Sequence, residues 1–385
     1  DDAVLDTIVD EFPYDLSKQY IEIEDKDYAI WYTDMNEDEE KYYGKTMKIK
    51  GRSLIGGGLE DDEFVIGRHI MTCCEDDIQF CGVPCQYDKA KELKPSGIRK
   101  FFDIVNQMDG AISLGVGEPD FVTPWHIREE GIYSIEKGRT YYTSNAGLLE
   151  LRQEVSNYIN RKYGVDYDAK SEIMITVGGS EAIDIGLRAM VEPGDEVLIP
   201  QPSYVSYEPC ARLAGAVPVI IELKHENQFR LTAKELEDAI TDKTKVLILP
   251  FPNNPTGAIM ERENLEEIAE VILKHDLLVI SDEIYSELTY TDKHISIVNI
   301  PGMIERTVLI NGFSKSYAMT GWRLGYACGP KEIIEQMLKI HQFAIMCAPT
   351  TSQYAGEKIN IEACCIGSLP VWINRISRSS CFIRP

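Results

Sequence analysis

From about residue 172 the apolar positions of the chain change their spacing at regular intervals. "EIMITV" is a β-branched, apolar run, "SEAIDIGLRAM" spaces its apolar residues three and four apart, "EPGDE" is polar with Pro and Gly, and "VLIP" is apolar again. The first pattern predicts a buried strand, the second an amphipathic helix and the third a turn. The alternation continues through "VPVIIEL", "AKELEDAI", "KVLILP", "ENLEEIAEVILKH", "LLVISDE" and "RTVLIN". Repeated strand and helix units predict an α/β architecture with a mostly parallel sheet covered by helices. Ligands of such sheets bind beyond the carboxyl ends of the strands, so the residues that follow each strand are where chemistry is expected.

The front of the chain is patterned differently. Short strand-like runs such as "KTMKIKGRSL" and "DEFVIGRHIMTCC" are separated by acidic and Gly-rich turns, among them Gly56 to Gly58. This predicts a small β domain, a five-stranded barrel of OB-like type. Charge marks the same division. Residues 1–94 hold 24 acidic and 11 basic side chains, so -13 of the net charge of -24 falls in the first quarter of the 385 residues. A boundary is expected near Lys94 and Pro95. No fixed-period repeat runs through the chain.

The acidic balance disfavours nucleic acid or an anionic membrane as partner, since both need clustered Lys and Arg. No apolar run reaches the 18 residues of a spanning helix, and "DDAVLDTIVD" is acidic where a signal peptide is basic. The expectation is a cytoplasmic protein acting on a small molecule. The ten cysteines are too sparse for a disulfide scaffold. Cys73, Cys74, Cys81 and Cys85 are clustered, yet their gaps are not a standard zinc spacing, which favours buried or reactive thiols over a metal site. The six histidines are scattered, so no catalytic metal is expected in the large domain.

Several residues stand at predicted strand ends. Gly178, Gly179, Ser180 and Glu181 open a helix after "EIMITV", the outline of a phosphate site or of an ordinary turn with Ser180 as N-cap. Asn254 precedes Pro255, which disfavours helix and predicts extended chain. Asp282 ends a buried strand, where a carboxylate needs a cation or hydrogen bonds. Lys315 sits between two serines, and Arg323 follows eight positions later on what reads as a strand. Taken singly, Asp282 fits an ion pair with an arginine equally well, and Lys315 fits a solvated surface.

Seven stretches occur in order: "ISLGVGEPDF", "YYTSNAGLLELR", "TVGGSEA", "PSYVSY", "NNPTG", "SDEIY" and "FSKSYAMTGWRLGY". Together they resemble the motif set of the class I and II aminotransferases, pyridoxal-phosphate enzymes of fold type I, over residues 95–358. They are most similar to the bacterial aspartate-aminotransferase-like branch. The resemblance implies a homodimeric enzyme that uses pyridoxal 5'-phosphate to move an amino group from an L-amino acid to a 2-oxo acid. It implies that Lys315 forms the aldimine with the cofactor and then moves a proton, for which its pKa must be lowered. Asp282 matches the partner of the pyridine nitrogen, Asn254 and Tyr285 the residues at the ring oxygen, and Tyr204 the aromatic on the ring face. The backbone of Gly179, Ser180 and Glu181, the guanidinium of Arg323 and the hydroxyl of Ser314 match the phosphate contacts. Tyr142 matches a tyrosine that reaches the neighbouring subunit's phosphate. Gly117 matches the backbone at the substrate's carboxylate end, with Asn254 also facing substrate.

Two departures from the family pattern follow. Some relatives carry serine three residues before the lysine, where this chain has Gly312. After "TTSQYAGEKIN" the tail "IEACCIGSLPVWINRISRSSCFIRP" has no helical period, so residues 359–385 are expected to replace a truncated small domain that carries the carboxylate-binding arginine, and turnover is expected to be poor. Residues 1–94 resemble the soluble β domain of an uncharacterised, permease-associated bacterial family. Two other readings stay open: a lyase or synthase on the same fold, and a fusion whose working part is the front module.

Overall fold

The computed structural model describes residues 13–18, 20–24, 26–43, 45–49, 52–54, 63–71, 78–86, 117–290 and 293–359. The Gly56 to Gly58 turn, Cys73, Cys74, the boundary at residues 94 and 95, and the tail from residue 360 lie outside them. The chain divides into two compact units, Asp1–Pro95 and Ser96–Pro385.

In the first unit, β1 (Tyr20–Glu22) runs parallel to β2 (Thr46–Lys48), in register from Tyr20 opposite Thr46 to Glu22 opposite Lys48. Between them lies α1 (Tyr28–Glu37), whose buried Tyr28 and Trp31 pack with Ile21, Ile23 and Tyr42. This helix was not legible in a segment read only as strands. Its ten residues "YAIWYTDMNE" are rich in aromatic and Asp/Asn types that form helices poorly on their own, so packing rather than propensity holds it. The antiparallel strands β3 (Arg52–Leu54), β4 (Glu63–Met71) and β5 (Ile78–Gln86) form a second sheet. Cys81 and Cys85 fall on β5, opposite Arg68 and Phe64. Among the described residues, the five strands thus fall into two sheets.

Among the described residues, the second unit is built on seven strands: β6 (Ile173–Thr176), β7 (Glu196–Gln201), β8 (Val217–Glu222), β9 (Thr244–Leu249), β10 (Leu278–Asp282), β11 (Thr307–Gly312) and β12 (Gly325–Cys328). Their order across the sheet is β6-β12-β11-β10-β9-β7-β8, and β12 alone runs antiparallel to its neighbours. The helices are α2 (Trp125–Glu136), α3 (Leu149–Tyr163), α4 (Gly178–Met190), α5 (Tyr207–Leu213), α6 (Ala233–Ala239), α7 (Arg262–Lys274), α8 (Lys331–Ala344) and α9 (Thr350–Glu357).

Alternate residues of each central strand enter separate cores, which is why the strands read as unbroken apolar runs. Val246 and Ile248 of β9 join Ile280, Val308 and Ile310 in a core completed by Ile183 and Leu187 of α4 and Ile334 and Met337 of α8. Leu247 and Leu249 join Val279 and Leu309 in the other, with Leu151, Val155 and Ile159 of α3 and Leu265, Ile268 and Ile272 of α7. Burying each such side chain is worth about 1.5–3 kcal/mol relative to exposure. Two well-filled faces therefore fix the sheet, and the carboxyl ends of β6, β7, β9, β10 and β11 present one row of loops. Among the described residues, no helix is long and apolar enough to cross a membrane.

Candidate active site

The loop from β6 into α4 is shaped by close backbone approaches. Gly178 has φ +77, and a Cβ there would come within 2.7 Å of Nη2 of Arg323. Gly325 lies against the same turn, where a Cβ would meet the Gly178 carbonyl carbon at 2.6 Å. Only glycine fits either place. The N-cap of α4 is Val177, so Ser180 is not the cap but a first-turn residue, its Oγ 3.5 Å from the Tyr204 hydroxyl. The helix opens with the amides of Gly178, Gly179 and Ser180. Glu181 turns its carboxylate back to accept the Val177 N–H at 2.5 Å.

Arg323 precedes β12 instead of lying on it. It follows the 3-10 turn Thr320–Trp322, takes left-handed φ 52, and donates from Nη1 to the Thr320 carbonyl at 2.9 Å. The left-handed residue turns the chain so that the guanidinium meets the helix start. Three amides and a guanidinium at a helix N-terminus form an anion-binding arrangement.

Asp282 ends β10 and is buried. Its Oδ2 accepts the Tyr207 hydroxyl at 2.8 Å and its Oδ1 the Ile284 N–H at 3.2 Å. Burial pushes this carboxyl above its ordinary value, against the pull of those two bonds. Both partners are neutral, and no arginine pairs with it among the described residues. Tyr207 stands edge-on to Tyr204, with ring centroids 5.6 Å apart.

Asn254 lies in a turn, with a cis peptide to Pro255, and not in extended chain. The side chain of Asn253 closes that turn, its Oδ1 accepting from the Thr256 amide at 3.2 Å and hydroxyl at 2.9 Å. The Asn254 amide nitrogen is 3.5 Å from the Tyr285 hydroxyl. Burial, with Asp282 nearby, pushes that phenol up to about 12.

Lys315 is half-buried and not a solvated surface residue. Its Nζ donates to the carbonyl of Gly117 and sits 5.6 Å from the centroid of the Tyr285 ring. Burial lowers its pKa, Arg323 lowers it further, and Glu118 opposes both. Ser314 beside it is buried. Gly312 pairs with Gly325, and a Cβ there would stand 3.0 Å from both Gly325 Cα and the Leu324 carbonyl oxygen, so a serine fits this chain only if β12 gives way. Tyr142 is 74% exposed.

Three groups here were not singled out from sequence. Tyr207 was within reach, since it ends the same "PSYVSY" that supplies Tyr204. Glu283, next to Asp282, is buried and accepts from Ser281 at 3.0 Å, Ser296 at 2.6 Å, His294 at 2.7 Å and Tyr163 at 3.1 Å. His341 of α8 reaches Glu181 at 2.6 Å. Both of these contacts join distant parts of the chain, and no local pattern announces them.

Residues 109–361 match the family model described as aminotransferase class I and II, and residues 5–97 match the DUF1980 C-terminal domain. The chain is 47% identical over 272 residues to an aspartate aminotransferase of Pyrococcus abyssi (strain GE5 / Orsay), covering 70% of each. It is 46% identical over 272 residues to an aromatic-amino-acid aminotransferase of Thermococcus litoralis, again covering 70% of each. Its structure superposes on the aspartate aminotransferase from Thermus thermophilus with maleate at a TM-score of 0.71 and 34% identity, covering 77% of each chain.

Proposed function

The chain belongs to the class I and II aminotransferases, enzymes of fold type I that use pyridoxal phosphate, and on that premise we propose that it transfers the amino group of an L-amino acid to a 2-oxo acid with Lys315 as its catalytic lysine. The observation that carries this reading is the buried Asp282, whose described partners are neutral. A buried carboxylate that lacks a cation is costly, and a protonated pyridine nitrogen supplies one.

The other residues fit the same group. The amides of Gly178, Gly179 and Ser180 with Arg323, and Ser314 beside Lys315, suit a phosphate. Bound there, pyridoxal phosphate supplies an electrophilic carbon for amines and a ring that accepts electron density from the substrate Cα. Lys315, its pKa lowered by burial, holds the cofactor and moves the proton at Cα through Nζ. Asp282 keeps the proton on the ring nitrogen, Asn254 and Tyr285 donate to the ring oxygen, and Tyr204 covers the ring face. The backbone of Gly117 and the amide of Asn254 face the substrate. The exposed Tyr142 suits a contact with a second copy, in a homodimer whose catalytic domain is residues 95–358. Residues 1–94 form a separate small β domain.

The test is transamination by the purified chain with added pyridoxal phosphate, a panel of L-amino acids and a 2-oxo acid, assayed for both keto acid and ammonia. Keto acid without ammonia, abolished in Lys315→Ala, is expected. Undiminished keto acid from that variant, or ammonia as the wild-type product, overturns the proposal.

A further inference from the structure

Glu181 and His341 are 160 residues apart in sequence and meet at the start of α4. The Nδ1–H of His341 donates to Oε1 of Glu181 at 2.6 Å, while Oε2 accepts the Val177 N–H at 2.5 Å. His341 is completely buried, and its Nε2 has no hydrogen-bond partner among the described residues. A ring nitrogen left bare in a core is costly, so the contact at Nδ1 is the one this histidine serves.

The place of the carboxylate sharpens the point. A helix N-terminus attracts any nearby negative charge, the side chain of Glu181 as well as an incoming anion. A mobile Glu181 would compete for the open amides of Gly178, Gly179 and Ser180. Instead both of its oxygens are engaged, one by the cap amide and one by a ring that α8 holds in the core.

We propose that His341 is a positioning residue for the anion cradle: it ties the Glu181 carboxylate to the Val177 amide and so keeps it off the three amides that receive the phosphate. The inference rests on the reading of the α4 start as the phosphate site. It assigns to α8, which carries none of the cofactor-binding residues, a part in phosphate affinity. It also explains why an acidic side chain is tolerated one residue beyond the cradle.

Equilibrium dialysis with pyridoxal phosphate and with unphosphorylated pyridoxal tests it on the full chain. His341→Leu should weaken pyridoxal phosphate roughly tenfold, the worth of one charged hydrogen bond, and leave pyridoxal unchanged. His341→Asn, which keeps an N–H donor in a similar place, should restore most of the loss. Equal weakening of both ligands, or no weakening, overturns the proposal. If His341→Leu does not fold, His341→Phe keeps a planar ring without the donor and is read the same way. Arg323→Gln separates the two levels. If it leaves the ratio of the two affinities unchanged, the phosphate reading itself fails; if it lowers the ratio while His341→Leu does not, only the positioning role falls.

Discussion

The hydroxyl of Tyr207 donates to Oδ2 of Asp282 at 2.8 Å, so a neutral phenol is the side-chain partner of the buried carboxylate among the described residues. Burial raises Asp282 above its ordinary 3.8, and the Tyr207 bond works against that rise. A carboxyl raised on folding holds its proton longer in the native state, so its contribution to stability is present below 3.8 and is lost as pH climbs through the raised value. Tyr207→Phe lifts that value further. Denaturant titrations should show a loss of about 1–3 kcal/mol at neutral pH that shrinks at acid pH, and equal losses at both would show that packing alone had changed.

Lys315 should load amine-reactive ligand at a lower pH than an exposed lysine does. Its pKa lies below 10.5 because of burial and Arg323, and Glu118 opposes the shift. The rate of covalent loading with pyridoxal, followed by absorbance, should therefore rise with pH and level off before 10.5. In Glu118→Gln the plateau should begin at still lower pH, because the group that raises the lysine's pKa is gone. Lys315→Ala should lower transamination by more than about a hundredfold.

The parallel sheet, the order of its elements and the residues at the strand ends were legible because each depends on local pattern. Asp282, Asn254, Lys315 and the Gly178 turn all follow apolar runs, and their spacing survives without any knowledge of partners. What was not legible depended on distance in the chain. The Tyr207 bond to Asp282 and the Glu181 contact with α8 come from elements far apart in sequence. So does the constraint on Gly312, which reads as a lost serine until its register opposite Gly325 is seen. In the first unit α1 stayed hidden because tertiary contacts of Tyr28 and Trp31, and not composition, make it a helix.

Gly325→Ala should harm the fold, and Gly178→Ala should harm the site more. At Gly325 the added methyl meets the Gly178 backbone at 2.6 Å, which rigid main chain cannot absorb. Overpacking of this kind costs about 1–3 kcal/mol, to be read from thermal or denaturant midpoints. At Gly178 the nearest atom is the movable end of Arg323, at 2.7 Å, and φ is +77. That variant should lose stability through the left-handed backbone, and by displacing the guanidinium it should weaken pyridoxal phosphate more than pyridoxal in paired binding measurements.

His294 should govern how the protein fails in acid. Burial alone would raise Glu283, but the electrostatic pull and hydrogen bond of His294 and the hydrogen bonds of Ser296 and Ser281 outweigh it and hold the carboxyl below its ordinary 4.5. A depressed carboxyl contributes stability above 4.5 and loses it as pH falls through the native value. His294→Gln keeps an N–H donor beside Glu283 and removes the imidazole ring. The Glu283 pKa should then rise, and the acid-unfolding midpoint, followed by circular dichroism, should move to higher pH. His294→Ala also leaves the carboxylate short of a hydrogen-bond partner in the core, a loss of about 1–3 kcal/mol. Glu283→Gln in the His294→Ala background should recover part of that loss, because the uncompensated charge is then gone. An acid midpoint in His294→Gln equal to that of the wild type would mean that the hydrogen bonds from Ser281, Ser296 and Tyr163, and not the imidazole ring, keep Glu283 ionised.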